Sequence, residues 1–214
     1  MRWLPHSTYQ LHERTLIGLL NIAVVGLMLA TYTSRFIFPM MSLEGRNYWI
    51  LGLLPLERDR LLLSKFAYAA TLTLLTSGSL ALLSELMLGL DWPIVLLHMG
   101  TIIVMALGLS AISVGLGAYL VNLKESNPSK IATGFGGTIN LLVSLVFAVT
   151  AILLAGVPTF LYFADRALRE EETVALERIR LWLLLGGAAL LILGVATVYV
   201  PLRMGIRAFR RMEF

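Results

Sequence analysis

IVLLHMGTIIVMALGLSAISVGLGAYLVNL, residues 94–123, runs for thirty positions without one Asp, Glu, Lys or Arg. A helix needs about 20 predominantly apolar residues to cross the roughly 30 Å of bilayer hydrocarbon, so this stretch reads as a membrane span. Four more blocks of the same character stand at 15–32, 66–90, 138–163 and 181–203. Their apolar residues form uninterrupted runs rather than stripes of period 2 or 3.6 with polar backs. Composition agrees: the 214 residues are 58% hydrophobic and 14% charged, with a mean hydropathy of +0.83, whereas soluble domains are about 45 to 50% apolar. The expected fold is an all-α integral membrane protein, a single bundle of about five transmembrane helices over 1–214.

Every gap between the blocks carries charge or proline. The polar lead of fourteen residues before 15–32 is long for a signal peptide, and no convincing small-x-small cleavage site precedes Tyr32, so the first block reads as a true span. The sequence pI near 9.6 and net charge of +4 do not point to nucleic acid, because the basic residues stand at the ends of apolar blocks, where they anchor helices at headgroup level. Eleven of them fall at one set of ends (Arg35, Arg46, Arg58, Arg60, Lys65, Lys124, Lys130, Arg203, Arg207, Arg210 and Arg211) and six at the other (Arg2, Arg14, Arg166, Arg169, Arg178 and Arg180). The positive-inside rule then places the C-terminus in the cytoplasm and the N-terminus of this chain outside, in a multi-pass cell membrane protein. An outside N-terminus without a signal peptide leads us to expect one more helix ahead of Met1, on a longer chain or a separate subunit.

Between the first two blocks lies SRFIFPMMSLEGRNYWILGLLPLERDRLLLSK, residues 34–65. Pro39 is expected to stop the first helix. Ser42 suits the N-cap of a short helix with Glu44 in its first turn, and Pro55 ends that helix and opens the next. The run 48–54 is apolar but too short to span, so it is expected to lie in the interface with Tyr48 and Trp49 at the headgroups. The product is an elbow against the inner leaflet that offers carboxylates and guanidinium groups to the cytoplasm.

Glu44, Leu53, Leu54, Pro55, Arg58, Leu62 and Lys65 stand in an order that resembles the coupling-helix region of the permease subunit of type-2 ABC exporters. A second stretch, NPSKIATGFGGT at 127–138, resembles the cytoplasmic loop of a little-characterised bacterial branch of ABC exporters. The resemblance implies a permease subunit in the bacterial inner membrane that forms the translocation pathway with a second permease unit. It implies that a separate cytoplasmic ATP-binding-cassette ATPase docks on Glu44, Arg46, Pro55, Arg58, Arg60 and Lys65, so that this chain is not itself an enzyme. It implies six helices, of which the block at 15–32 would be the second. The alternative is a secondary transporter, or another polytopic membrane protein working without an ATPase; such proteins usually carry broken helices and ionisable residues at the bilayer midplane.

Polar groups within the spans are costly and mark candidate sites. Glu85, near the outer end of the second span, is expected to snorkel or to pair helices. His98 is expected to be a satisfied interfacial histidine, and Asn21 and Asn140 to make hydrogen bonds between helices. They suggest no constellation. Small residues four apart, Gly26 with Ala30, Ser77 with Ala81, Ala111 with Gly115 and Ala151 with Ala155, allow close helix approach. Gly134-Phe-Gly-Gly137 lacks the Gly-x-x-x-x-Gly-Lys-Ser/Thr spacing of a phosphate loop, and reads as a helix entry at the membrane surface. The loop 165–180 pairs Asp165 with Arg169 and Arg166 with Glu170 at i,i+4, the pattern of an amphipathic helix on the outer leaflet. There is no cysteine and no His-Glu-x-x-His, and the serine of Gly108-Leu-Ser-Ala111 has its only nearby histidine on the same helix, so no catalytic residue, metal ligand or cofactor site is assigned.

Overall fold

The computed structural model describes residues 6–47, 58–123, 125–168 and 172–211, with side chains over 16–44, 59–123, 125–161 and 181–211. The secondary-structure elements among the described residues are all helical, without a strand. They comprise α1 (His6–Tyr32), α2 (Arg58–Leu88), α3 (Trp92–Tyr119), the short α4 (Pro128–Thr133), α5 (Phe135–Leu168) and α6 (Glu172–Arg211). Leu16–Glu44, Asp59–Leu88, Trp92–Tyr119, Phe135–Leu161 and Leu181–Arg211 are each long and apolar enough to cross a bilayer. The chain is a multi-pass membrane protein.

Its centre is α3. This helix is apolar on all sides, which suits burial rather than a lipid-facing position, and it packs against α1, α2, α5 and above all α6. Ile102, Met105, Leu109 and Ile112 of α3 meet Ile22 and Leu29 of α1, Phe147 and Ala151 of α5 and Leu190 of α6. A second cluster joins Leu62 and Ala69 of α2 to Val114 and Ala118 of α3 and Leu202 and Phe209 of α6. The outer helices turn Leu20, Met87, Phe135 and Ile192 outward, where lipid rather than water makes such exposure favourable.

α3 and α6 approach one another backbone to backbone. A Cβ at Gly115 would lie 2.3 Å from the Pro201 carbonyl oxygen, and one at Gly205 would lie 2.9 Å from that of Gly115. Only hydrogen fits between these backbones. The α2–α3 hairpin closes at Gly89, whose φ of 63° is left-handed and ordinary only for glycine. Asp91 precedes the first turn of α3, where Pro93 needs no hydrogen-bond partner.

Pro39 does not stop the first helix as expected. α1 ends at Tyr32, but the chain stays helical through a π turn, Thr33–Ile37, and a 3-10 turn, Phe38–Met40. Proline deprives the Arg35 carbonyl of its α-helical donor. The helix responds by widening upstream, so that the Phe38 N–H reaches the Thr33 carbonyl five residues back. Ser42 opens a further 3-10 helix, Ser42–Asn47, yet its hydroxyl accepts from the Asn122 N–H at 3.0 Å, tying this turn to the end of α3.

The expected elbow at 48–57 lies outside the described residues, as do the side chains of Arg46 and Arg58. The separate outer-leaflet helix expected within 165–180 is not formed: the described backbone there continues α5 to Leu168 and begins α6 at Glu172. Residues 169–171, with Arg169 and Glu170, lie outside the described residues.

Candidate functional site: a charged end and a buried polar cluster

The bundle end formed by the C-termini of α1, α3 and α6 and the N-terminus of α2 carries most of the described charge. Glu44, in the first turn of its 3-10 helix, forms an ion pair with Lys65 of α2. The Lys65 side chain is 11% exposed, so its contact with Glu44 is partly shielded from water. Arg210, in the last turn of α6, clasps Asp59 at the start of α2: Nε donates to Oδ1 at 2.8 Å and Nη2 to Oδ2. This two-pronged geometry is specific to guanidinium and carboxylate. Each charge also suits its helix end, with the acid in the first turn of α2 and the base in the last turn of α6.

Glu44 and Asp59 are therefore spent within the chain, where the sequence suggested carboxylates offered to a partner. Arg60 is exposed beside them, and Pro55 lies outside the described residues. Asp59 and Arg210 were missed as a pair because 151 positions separate them; only the antiparallel order of spans, which sets both at one membrane face, pointed to their meeting. At the same end Glu125 accepts from the N–H groups of Ser126 and Asn127 at 3.1 Å, and Asn127 caps α4 by accepting from Ser129 N–H at 3.0 Å. Gly134 then bends the chain between α4 and α5.

Among the described residues, polar side chains join helices inside the bundle in three places. Thr73 of α2 meets Ser110 of α3 at 3.0 Å. Asn140 of α5 donates to Ser34 in the π turn at 2.9 Å and to Ser113 of α3 at 3.3 Å. The third is a constellation that the sequence did not suggest. Glu85 Oε1 lies 3.0 Å from His98 Nδ1, and His98 Nε2 lies 3.4 Å from Thr159 Oγ1.

Both the Glu85 and His98 side chains are fully buried, so Glu85 does not snorkel. Thr159 spends its own proton on the Ala155 carbonyl, 2.7 Å away, leaving its oxygen to accept from Nε2–H. Glu85 Oε2 is buried without a hydrogen-bond partner. Asn21 is half-buried on α1 and belongs to none of these three groups. Among the described residues no cluster of His, Cys, Asp and Glu has the form of a metal site.

The family model described as "Putative ATP-binding cassette" matches residues 1–214, the whole chain. The chain belongs to that family. No curated protein and no solved structure matches it. The family description names an ATP-binding component, not a permease. It overturns the reading as an exporter permease subunit, or as a transporter without an ATPase, and with it the expectation that ATP chemistry lies wholly on a partner and that the chain is no enzyme. That reading leaned on the segment 48–57, outside the described residues, and on carboxylates that the fold engages internally. The relation to ATP-binding cassettes and the membrane setting stand.

Proposed function

We propose that this chain is a membrane-embedded member of an ATP-dependent assembly, and that its charged end is where nucleotide-driven change reaches the helices. The carrying observation is that two ion pairs, Glu44–Lys65 and Asp59–Arg210, link three helical segments at one end of the bundle. Asp59–Arg210 joins helices 151 positions apart and Glu44–Lys65 joins two successive elements, so a shift of one segment is felt by another. Arg46, Pro55, Arg58 and Arg60 belong to the same stretch of chain and complete the proposed coupling region. Partners that suit this end are a second ATP-binding-cassette chain and a second copy of this one. The greater count of Lys and Arg assigns it to the cytoplasmic face of the cell membrane.

The test is ATP turnover by the detergent-purified assembly, including whatever copurifies with the full chain. The Asp59→Asn, Lys65→Met variant is expected to lose at least about tenfold of turnover, a barrier change of about 1.4 kcal/mol, with unchanged membrane yield. Lys130→Met, which breaks the looser 3.9 Å pair with Glu125 at the same end, is expected to leave turnover alone. Full turnover by the double variant would overturn the proposal. Binding of a photoreactive ATP analogue in the same preparation identifies the chain that holds the nucleotide.

A further inference from the structure

One face of the bundle is concave. A furrow of about 720 Å³ runs between α2, α3 and α6, with Leu63, Leu107, Val195 and Val198 among its walls. A second hollow of about 430 Å³ shares Val104 and Leu191 with it and extends along α6 to Leu183. From Leu183 to Ile206, at 1.5 Å per residue, the pair covers about 34 Å of α6, close to the full depth of a bilayer core. Gly194 lets α6 approach the furrow floor, since a Cβ there would stand 3.0 Å from Val104.

The furrow is apolar except at one end. There Arg203 Nη1 donates to the Tyr199 hydroxyl at 2.6 Å, and its guanidinium sits 5.4 Å from the centroid of that ring. Arg207 follows one turn later, and both arginines are exposed. Residues 181–200 contain no charged group, and at 1.5 Å per residue they fill about 30 Å of hydrocarbon. Arg203 therefore falls at headgroup level. Guanidinium binds phosphate oxygens in pairs, and a tyrosine with its ring in the acyl region and its hydroxyl at the surface suits the same depth.

We propose that this furrow is a binding site for one anionic phospholipid of the surrounding bilayer, with an acyl chain along α6 and the phosphate held by Arg203 and Arg207. Charge complementarity selects this occupant: an apolar partner helix would leave the two guanidinium groups unmatched, whereas an anionic amphiphile matches both the slot and its polar end.

The experiment is native mass spectrometry of the full chain released from nanodiscs of equal phosphatidylglycerol and phosphatidylcholine. The wild type is expected to retain one phosphatidylglycerol in preference to phosphatidylcholine. Arg203→Gln, Arg207→Gln is expected to reduce that preference by about fivefold for each charge removed. Leu191→Trp, at a wall residue that is 64% exposed and so open to enlargement without disturbing the core, is expected to block retention while leaving the thermal unfolding midpoint unchanged. Equal retention of both lipids by the wild type would overturn the proposal, as would undiminished preference in the arginine variant. A lipid-free dimer that Leu191→Trp dissociates would overturn it too, by making a second copy the occupant.

Discussion

Glu85 and His98 show what a bilayer demands of single residues. A carboxyl group buried among apolar helices must share its charge or its proton with a neighbour, and here the neighbour is an imidazole 3.0 Å away, backed by Thr159. Removing one member strands the other. We therefore expect His98→Ala, which leaves Glu85 buried alone, to cost about 3–5 kcal/mol, and Glu85→Gln, which keeps an oxygen or amide toward the ring, to cost about 1 kcal/mol. Thermal unfolding of the purified chain in detergent checks this, and equal losses from the two variants would show that the pair does not act as a unit. Each residue was conspicuous in the sequence as a polar group in an apolar block, but their partnership was not read. The signal lay in the hairpin: Glu85 and His98 each stand six positions from the 91–92 pair, one on either side, and a tight turn there sets such positions opposite one another. Thr159 gave no comparable signal, since threonine satisfies itself on its own helix and is common in spans.

At the scale of elements, the five long helices were legible because a span is defined by a long run without charge, and nothing else accommodates that run. What stops a helix was less legible. Pro39 looked like an end, but tertiary contacts hold the chain helical past it: Phe38 and Met41 are both buried, and Ser42 is bound to the end of α3. Helix pairing was half legible. Ala111 and Gly115 were read as a small-residue seam, yet Gly205, which completes the contact, stands in a basic tail with no repeat to mark it. The seam is testable by adding one methyl group at a time. At Gly115 the new carbon meets the backbone oxygen of Pro201 at 2.3 Å, and backbone yields less readily than a side chain. Gly115→Ala is expected to destabilise the fold by about 1–3 kcal/mol. Gly100 lies on the same helix with nothing within 4 Å of the added carbon, so Gly100→Ala is expected to stabilise by about 0.5–1 kcal/mol through the entropy of the unfolded chain. Detergent unfolding midpoints moving in the same direction for both variants would contradict this account of the α3–α6 contact.

For the whole molecule, the decisive asymmetry is charge. Arg35, Arg60, Lys65, Lys130, Arg203, Arg207 and Arg210 gather toward one end of the bundle, whereas the α2–α3 hairpin at the opposite end carries Asp91 and no basic residue. Lys and Arg near short loops resist transfer across the membrane during insertion, so the basic end is expected to stay in the cytoplasm. The ion pairs there do not weaken this inference, since they form only after the helices have inserted and packed. Because the chain has no cysteine, single cysteines report on topology without background. Ser126 lies in the loop between α3 and α4 at the basic end, and Trp92 lies at the opposite end, 64% exposed at the first turn of α3. A cysteine at Ser126 is expected to react only with a reagent that crosses the membrane, and one at Trp92 with an impermeant reagent added to intact cells. Labelling of Trp92→Cys solely from inside would reverse the molecule in the membrane. It would also move the Asp59–Arg210 and Glu44–Lys65 pairs to the outer face, where no ATP is supplied, and so remove the basis for treating that end as the coupling region.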